Sequence, residues 1–112
     1  MLKPDAYIHT GKIIDSIYRN GFIISKMKMS RFNNTTAARF LGGNNNAEAS
    51  AHLQSDVCLG MEIVADGAVS KWNQMIGPEN STTAKIQASS SLRAAYGTDA
   101  VRNAVHGSSN NQ

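Results

Sequence analysis

Apolar residues recur at helical spacing in two parts of the chain. In residues 10–21 ("TGKIIDSIYRNG"), one helical face collects Ile13, Ile14, Ile17 and Tyr18. In residues 67–78 ("GAVSKWNQMIGP"), a second face collects Ala68, Val69, Trp72, Met75 and Ile76. Both patterns predict amphipathic helices that pack on a core.

The ends of these two helices carry start and stop signals. Thr10 and Asp66 have side-chain oxygens that suit the N-cap position, where they would accept hydrogen bonds from the first helical N–H groups. Gly21 follows the first helix, and Gly77 with Pro78 follows the second. The pattern therefore predicts both the boundaries and the buried faces.

Two other stretches favour strands. Residues 22–32 ("FIISKMKMSRF") alternate as a half-exposed strand does, and we interpret the methionines as core filling. The alternation separates Ser25, Met27 and Met29 on one side from Ile24, Lys26 and Lys28 on the other. Residues 56–67 ("DVCLGMEIVADG") form a continuous apolar run, which is typical of an interior strand.

The rest of the chain is less regular. "NNTTAARFL" and "AEASAHLQ" predict short helices separated by a "GGNNN" loop, and an extended pair precedes Pro4. Residues 79–91 predict a polar loop, 91–97 one or two helical turns, and 100–107 a short last strand. The order β-α-β-α-β-α-β predicts an α/β sandwich with helices on one face of a single sheet.

Length and composition fit one domain. The chain has 112 residues, 41% of them hydrophobic and 17% charged, and we assign residues 1–109 to the domain and 110–112 to a polar tail. No apolar run approaches the roughly 20 residues that cross a bilayer, and no secretory signal is recognisable. These features favour a cytoplasmic protein without a membrane partner, in which the lone Cys58 is a buried thiol.

The positive charge is unevenly spread. The net charge is +3, yet residues 12–39 hold six basic side chains against the single acid Asp15. The six are Lys12, Arg19, Lys26, Lys28, Arg31 and Arg39. A solvated surface explains such a cluster most simply, and a face that docks an acidic partner is the alternative.

The stretch "RNAVHGSS" holds the strongest candidate chemistry. A neutral imidazole such as that of His106 attacks phosphorus well, and phosphoryl transfer otherwise needs cations and positioning. Lys3, Arg93 and Arg102 are available cations, and Asn103 and Ser108 can bond ribose hydroxyls or orient the ring. By residue chemistry alone, a lone histidine at a strand end is more often structural.

Other site classes fit the sequence less well. His9, His52 and His106 lack zinc-ligand spacing with Cys58 or with one another, so no metal site is predicted. "GGNNN" lacks the lysine and hydroxyl of a phosphate-binding loop, and no Gly-x-Ser-x-Gly elbow is present. The aromatic content of 6% disfavours specific nucleic-acid binding. A Ser-His-Asp hydrolase remains open on composition.

Four stretches together resemble the nucleoside diphosphate kinase family: "LKPDA", "GKIIDSIYRNGFIISKMKM", "WNQMIGPENS" and "SLRAAYGTDAVRNAVHGS". The last is most similar to the domains of the ciliary two-domain members, type 7. The resemblance implies a ferredoxin-like α/β fold with a four-stranded antiparallel sheet covered by helices. It also implies transfer of a terminal phosphate from a nucleoside triphosphate to a diphosphate, with Mg²⁺ accompanying ATP.

The same resemblance assigns roles to five residues. His106 would be the phosphorylated nucleophile, and Lys3, Arg93 and Asn103 would bind the nucleotide's phosphates and ribose. Ser108 would orient the histidine.

The chain also departs from the family pattern. The family's phosphate-binding arginine falls at Asn73 and its threonine at Glu79, and Phe40 is the only aromatic residue where the base-stacking segment should lie. Two functions therefore stay open. The first is an active kinase that works as a homo-oligomer or in a larger assembly. The second is a degenerate structural module of a ciliary axoneme, whose basic face meets an acidic surface such as tubulin.

Overall fold

An antiparallel pair of strands forms the centre of the computed structural model, which describes residues 1–42 and 47–107. Strand β1 (Ile23–Arg31) pairs with β2 (Val57–Val64) over their full length. Leu2 makes single antiparallel bridges to Leu59 of β2 and to Val105, which gives the order β1, β2, Leu2, Val105. The sheet thus has four strand positions, of which the last two are single bridges among the described residues.

Helices surround this sheet. A 3₁₀ helix (Pro4–His9) leads directly into α1 (Thr10–Arg19). The other helices are α2 (Asn34–Leu41), α3 (Ala47–Gln54), α4 (Ala68–Ile76), α5 (Ser81–Gln87) and α6 (Leu92–Tyr96). The four helices predicted from the periodicity and from the short stretches of residues 33–54 are confirmed as α1 to α4. None of the helices described has the length and apolar run needed to cross a membrane.

Both predicted N-caps are wrong. His9 is the N-cap of α1, while Thr10 is already helical and its hydroxyl donates to the Tyr7 carbonyl, because the 3₁₀ helix runs straight into α1. Gly67, in the left-handed conformation at φ +64°, is the N-cap of α4, which leaves Asp66 one residue too early to cap it.

A bulge in β1 corrects the predicted faces of that strand. The register shifts between Ile24 and Lys26, so that Ile24 pairs with Ile63 while Met27 pairs with Met61. Because Ile63 and Met61 lie two residues apart, Ile24 shares a face with Met27 and not with the lysines. The prediction that the methionines fill the core is wrong for Met27 and Met29, since they are 47% and 53% exposed on the outer strand of the described sheet.

Two further predictions fail near the end of the chain. Residues 79–91 do not form one loop, because Asn80 caps α5 by accepting a hydrogen bond from the Thr82 N–H. The last strand is reduced to the bridge at Val105, because Ala104 takes a φ of +73° and interrupts the extended run.

The core lies on both faces of β2. Leu59 packs in the main cluster with Ile13, Ile17 and Trp72, whereas its neighbour Cys58 packs with Ala37 of α2 and Leu53 of α3. Consecutive strand residues point to opposite faces, so α2 and α3 lie against the second face of the sheet. The prediction of helices on one face only is therefore wrong, and the prediction of a buried thiol at Cys58 is confirmed.

Candidate active site

His106 lies immediately after the Val105 bridge, held by its main chain. Its N–H donates to the Met1 carbonyl at 2.8 Å, and its carbonyl accepts from the Trp72 indole N–H at 3.3 Å. The ring packs edge-on against Phe40, with 4.8 Å between ring centroids. Backbone and aromatic contacts thus fix where the imidazole sits.

The surroundings keep the imidazole neutral. Burial lowers the pKa of His106 to about 4, and the positive charges of Lys3 and Arg93 lower it in the same direction. A neutral ring at pH 7 keeps one nitrogen lone pair free for attack. The state expected of a nucleophile is therefore the resting state of this side chain.

Lys3 and Asn103 form a hydrogen-bonded pair beside the histidine segment. The Lys3 ammonium donates to Asn103 Oδ1 at 2.8 Å and to the Val101 carbonyl at 3.2 Å, and Asn103 Nδ2 donates to the Glu79 carbonyl at 2.8 Å. Burial lowers the pKa of Lys3, an effect that the nearby Asp5 opposes. An ammonium has three donors, so one remains for a ligand oxygen.

Arg93 of α6 is almost buried, at 8% exposure, and joins two loops. Its Nη1 donates to the Gly77 carbonyl at 2.8 Å and its Nη2 to the Val105 carbonyl at 3.0 Å. Its Nε is buried without a hydrogen-bond partner. Burial lowers the pKa of Arg93, and the Glu79 carboxylate opposes that shift. Arg93 thus brings a positive charge to the histidine and also holds the fold.

The structure brings together four of the five predicted site residues: Lys3, Arg93, Asn103 and His106. Ser108 lies outside the described residues, so its predicted role stays a prediction. Arg102, the third candidate cation, instead pairs with Asp99 at 2.9 Å and Glu48 at 3.5 Å. Within the described ranges, no group of three His, Cys, Asp or Glu residues could hold a metal ion.

Asp5 belongs to this arrangement although the sequence reasoning passed over it. Its Oδ2 accepts a hydrogen bond from the Ala104 N–H at 3.0 Å, at the one non-glycine residue with positive φ in the described chain. The signal was present in the quoted "LKPDA", where Asp5 stands two residues after Lys3. Its meaning depended on a contact with a residue 99 positions away.

Comparison with known proteins decides the family. A family model described as nucleoside diphosphate kinase matches residues 1–112. The chain belongs to the nucleoside diphosphate kinase family. A solved nucleoside diphosphate kinase from Aquifex aeolicus superposes with a TM-score of 0.86 and 31% identity, covering 94% of this chain and 79% of that one. The expected ferredoxin-like α/β fold is therefore confirmed.

Curated relatives of this kinase-family chain differ in length. Rat nucleoside diphosphate kinase homolog 7 is 38% identical over 112 residues, which covers 96% of this chain but 28% of the relative. The nucleoside diphosphate kinase of Syntrophotalea carbinolica is 35% identical, covering 96% of this chain and 81% of the relative. The expected similarity to the type 7 members is confirmed, and the chain spans about a quarter of the rat protein's length.

Asn73 and Glu79, two of the departures from the family pattern, lie at the edges of the kinase-like site. The Asn73 side chain donates to the Val69 carbonyl at 2.9 Å on its own helix. Its Oδ1 and the Trp72 ring lie so near Gly107 that a β-carbon there would be 2.6 Å and 2.7 Å away, so a larger residue after His106 would force these side chains to shift. Glu79 supplies its carbonyl to Asn103, while its carboxylate acts on both Lys3 and Arg93. A negative charge therefore stands where the family resemblance places a hydroxyl.

Proposed function

We propose that this domain transfers the terminal phosphate of a nucleoside triphosphate to a nucleoside diphosphate through a phosphohistidine at His106. The observation that carries the proposal is the state of the His106 ring, whose pKa is lowered to about 4 beside Lys3 and Arg93. A neutral nucleophile with two cations nearby suits attack on a polyanion.

The reaction has two matched halves. An imidazole nitrogen of His106 forms a bond to the γ-phosphorus of the triphosphate, and the bond from that phosphorus to the β–γ bridging oxygen breaks, releasing the diphosphate. A second diphosphate then attacks the phosphohistidine with its terminal oxygen and restores the neutral ring. Mg²⁺ enters as part of the nucleotide substrate and screens its phosphates.

Lys3, Arg93 and Asn103 have supporting roles in this proposal. The third donor of the Lys3 ammonium is directed to a phosphate oxygen, because the other two are used by Val101 and Asn103. Each terminal nitrogen of Arg93 uses one N–H to bond Gly77 or Val105, and its second N–H is proposed to donate to a phosphate oxygen. Ser108, at the end of "RNAVHGS", is proposed to orient the ring.

Phosphoenzyme formation tests the proposal directly. The protein is incubated with γ-labelled ATP and Mg²⁺, quenched, and assayed for label that is stable to base and labile to acid. We expect label on the unchanged protein and on His9→Ala, none on His106→Ala, and discharge of the label by GDP. A folded protein that takes up no label, or one still labelled in His106→Ala, would overturn the proposal.

One observation favours a second candidate function. The negative charge of the Glu79 carboxylate raises the pKa values of Lys3 and Arg93, and it would oppose nucleotide phosphates by about 1 kcal/mol at a separation of 4 Å in water. A non-catalytic assembly module, in a ciliary axoneme or elsewhere in the cytoplasm, is therefore the alternative. Its basic strand side chains Lys26, Lys28 and Arg31 would meet an acidic surface such as tubulin. Salt-sensitive co-sedimentation with microtubules, lost in Lys26→Glu/Lys28→Glu, is its test.

Assembly with further copies of this chain is the partner proposal common to both candidates. It is supported by the outer strand β1, where Ile23 is 64%, Met27 47% and Met29 53% exposed. Sedimentation velocity at micromolar concentration measures the association directly, and a monomer there would overturn it.

A further inference from the structure

We propose that Asp5 and His52 are positioning residues that hold the backbone turn carrying His106 and Asn103, an inference that rests on the proposed function of that site. Asp5 lies in the 3₁₀ helix and His52 in α3, so the two come from elements far apart in the sequence. The family resemblance described above gave neither residue a role.

The backbone turn at Ala104 is strained and lies between two site residues. Ala104 adopts a φ of +73°, a conformation that costs a non-glycine residue of order 1–3 kcal/mol and persists only where its surroundings enforce it. The residues on either side of the Ala104–Val105 pair are Asn103 and His106. A change in the backbone at Ala104 therefore moves the ribose-binding amide relative to the nucleophile.

Two groups near the start of the chain enforce that backbone conformation. The Ala104 carbonyl accepts from the Lys3 N–H at 2.7 Å, and the Ala104 N–H donates to Asp5 Oδ2 at 3.0 Å. Both partners belong to the "KPD" segment, where the following Ala6 N–H closes a turn on the Lys3 carbonyl at 3.0 Å. The strained residue is thus held from both sides by the start of the chain.

His52 of α3 anchors the Asp5 carboxylate. Asp5 Oδ1 lies 3.0 Å from His52 Nε2, with side chains only 14% and 10% exposed. An ionised carboxylate can only accept, so His52 donates through Nε2–H. With one oxygen fixed by α3, the other cannot rotate away from Ala104. His52 therefore acts on His106 through Asp5 and the backbone, without touching the ring.

Three variants separate this role from general stability. His52→Leu removes the donor, whereas His52→Gln keeps a donor near the position of Nε2. Asp5→Asn keeps one acceptor oxygen, so it replaces a truncation of Asp5 if that truncation impairs folding. His9→Leu is the matched histidine control, since His9 stacks on Tyr96 and has no bond to Asp5. Thermal unfolding first establishes that each variant is folded.

The first readout is amide hydrogen exchange, which needs no activity. In His52→Leu we expect the Ala104 amide to exchange about five- to tenfold faster, while Leu59, bonded to Leu2 at 3.0 Å, is unchanged. His52→Gln restores protection, and His9→Leu never loses it. An unchanged Ala104 rate in His52→Leu would overturn the proposal.

The second readout is the rate of His106 phosphorylation. We expect His52→Leu to slow labelling from Mg²⁺–ATP by about tenfold or more with substrate KM nearly constant, since misplacement of a reacting group by about 1 Å costs up to a hundredfold. His52→Gln recovers most of the rate. Faster exchange at Ala104 with full labelling would mean a structural role only, and would also overturn the proposal.

A failure of the kinase function itself is distinguishable. If ATP leaves the unchanged protein unlabelled, phosphoramidate serves as a direct chemical phosphate donor to His106, mapped by mass spectrometry. Slower phosphoramidate labelling of His106 in His52→Leu than in His9→Leu supports the positioning role without any nucleotide. Equal rates in the two variants overturn it.

Discussion

Arg93 and Lys3 serve the fold and the candidate site at once. In the structure, Arg93 binds the carbonyls of Gly77 and Val105, and Lys3 binds Asn103. Loss of the Arg93 side chain would leave the buried Val105 carbonyl unpaired, at about 1–3 kcal/mol, and loss of the Lys3 side chain would remove the part-buried bond to Asn103. Their presence alone therefore does not separate a working kinase from a structural relative.

The titration of His106 is the first prediction at this scale. Its folded pKa of about 4 lies below the ordinary value of 6.5, so the unfolded chain binds more protons between these values. The contribution of this group to stability is present above pH 6.5 and is lost as the pH falls toward 4. NMR titration of the His106 Cε1–H should show no inflection from pH 5.5 to 8. An inflection near 6.5 for His106 would contradict the burial and the cation contacts described here.

Glu79 gives a second prediction at the residue scale. We expect Glu79→Gln to tighten ADP binding by about fivefold, because it removes about 1 kcal/mol of repulsion from the phosphates while keeping the carbonyl that Asn103 uses. Calorimetry measures the change. Glu62→Gln is the control of equal charge change, since Glu62 bonds Ser25 and pairs with Lys26 on the strands. Equal effects of the two variants would show that net charge, and not the place of Glu79, decides affinity.

Close packing of α5 against α6 shapes the site at the scale of elements. The cap at Asn80 starts α5 next to Glu79, and α6 presents Arg93 to the histidine segment. Ser81 is fully buried, and its hydroxyl has no hydrogen-bond partner in the structure. Gly97 follows α6 and lies directly beside Ser81. The sequence predicted a polar loop and a separate helical turn here, whereas the structure packs two helices together and so supports α6, which carries Arg93.

Gly97→Ala tests that interface. A β-carbon at Gly97 would collide with the Ser81 side chain and lie 2.8 Å from the Arg93 carbonyl, so we expect a loss of about 2 kcal/mol or more in unfolding free energy. Gly11→Ala is the control, because no atom lies within 4 Å of its added carbon. There we expect a gain of up to about 0.5–1 kcal/mol from helix propensity. Urea denaturation measures both, and a neutral Gly97→Ala would refute the close packing.

Leu2 connects the two ends of the described chain at the scale of the whole molecule. It bridges Leu59 and Val105, and the neighbouring Met1 and Lys3 bond to His106 and Ala104. The nucleophile's backbone therefore depends on pairing with the first residues, across about 100 positions of sequence. The site forms only when the whole sheet has closed.

Leu2→Ala measures this dependence. The side chain is 1% exposed, so we expect a loss of about 3 kcal/mol together with faster amide exchange at His106. Leu41→Ala, a partly buried leucine of the smaller cluster, should cost about 1 kcal/mol and leave His106 protected. Denaturant unfolding with exchange mass spectrometry gives both quantities. Unchanged protection of His106 in Leu2→Ala would contradict the link.

The sequence alone predicted the helices α1 to α4, the two paired strands and the buried thiol. These features follow from periodicity and local composition, which are properties of neighbouring residues. It also pointed to His106, Lys3, Arg93 and Asn103 through their resemblance to one family. Periodicity could not show the bulge that moves Ile24, because the pairing of β1 with β2 sets the register.

The candidate site is held by contacts that form only in the folded chain. The Asp5–His52 contact, the strain at Ala104 and the two carbonyls of Arg93 join residues 12 to 99 positions apart. Such contacts follow from chain closure around the whole core, so no local pattern encodes them. The lowered pKa of His106 has the same origin, because Phe40 of α2 packs on the ring and the charges of Lys3 and Arg93 come from the start of the chain and from α6. Short motifs in the chain thus indicate which residues form the candidate site, while the folded sheet sets their contacts and the protonation state of His106.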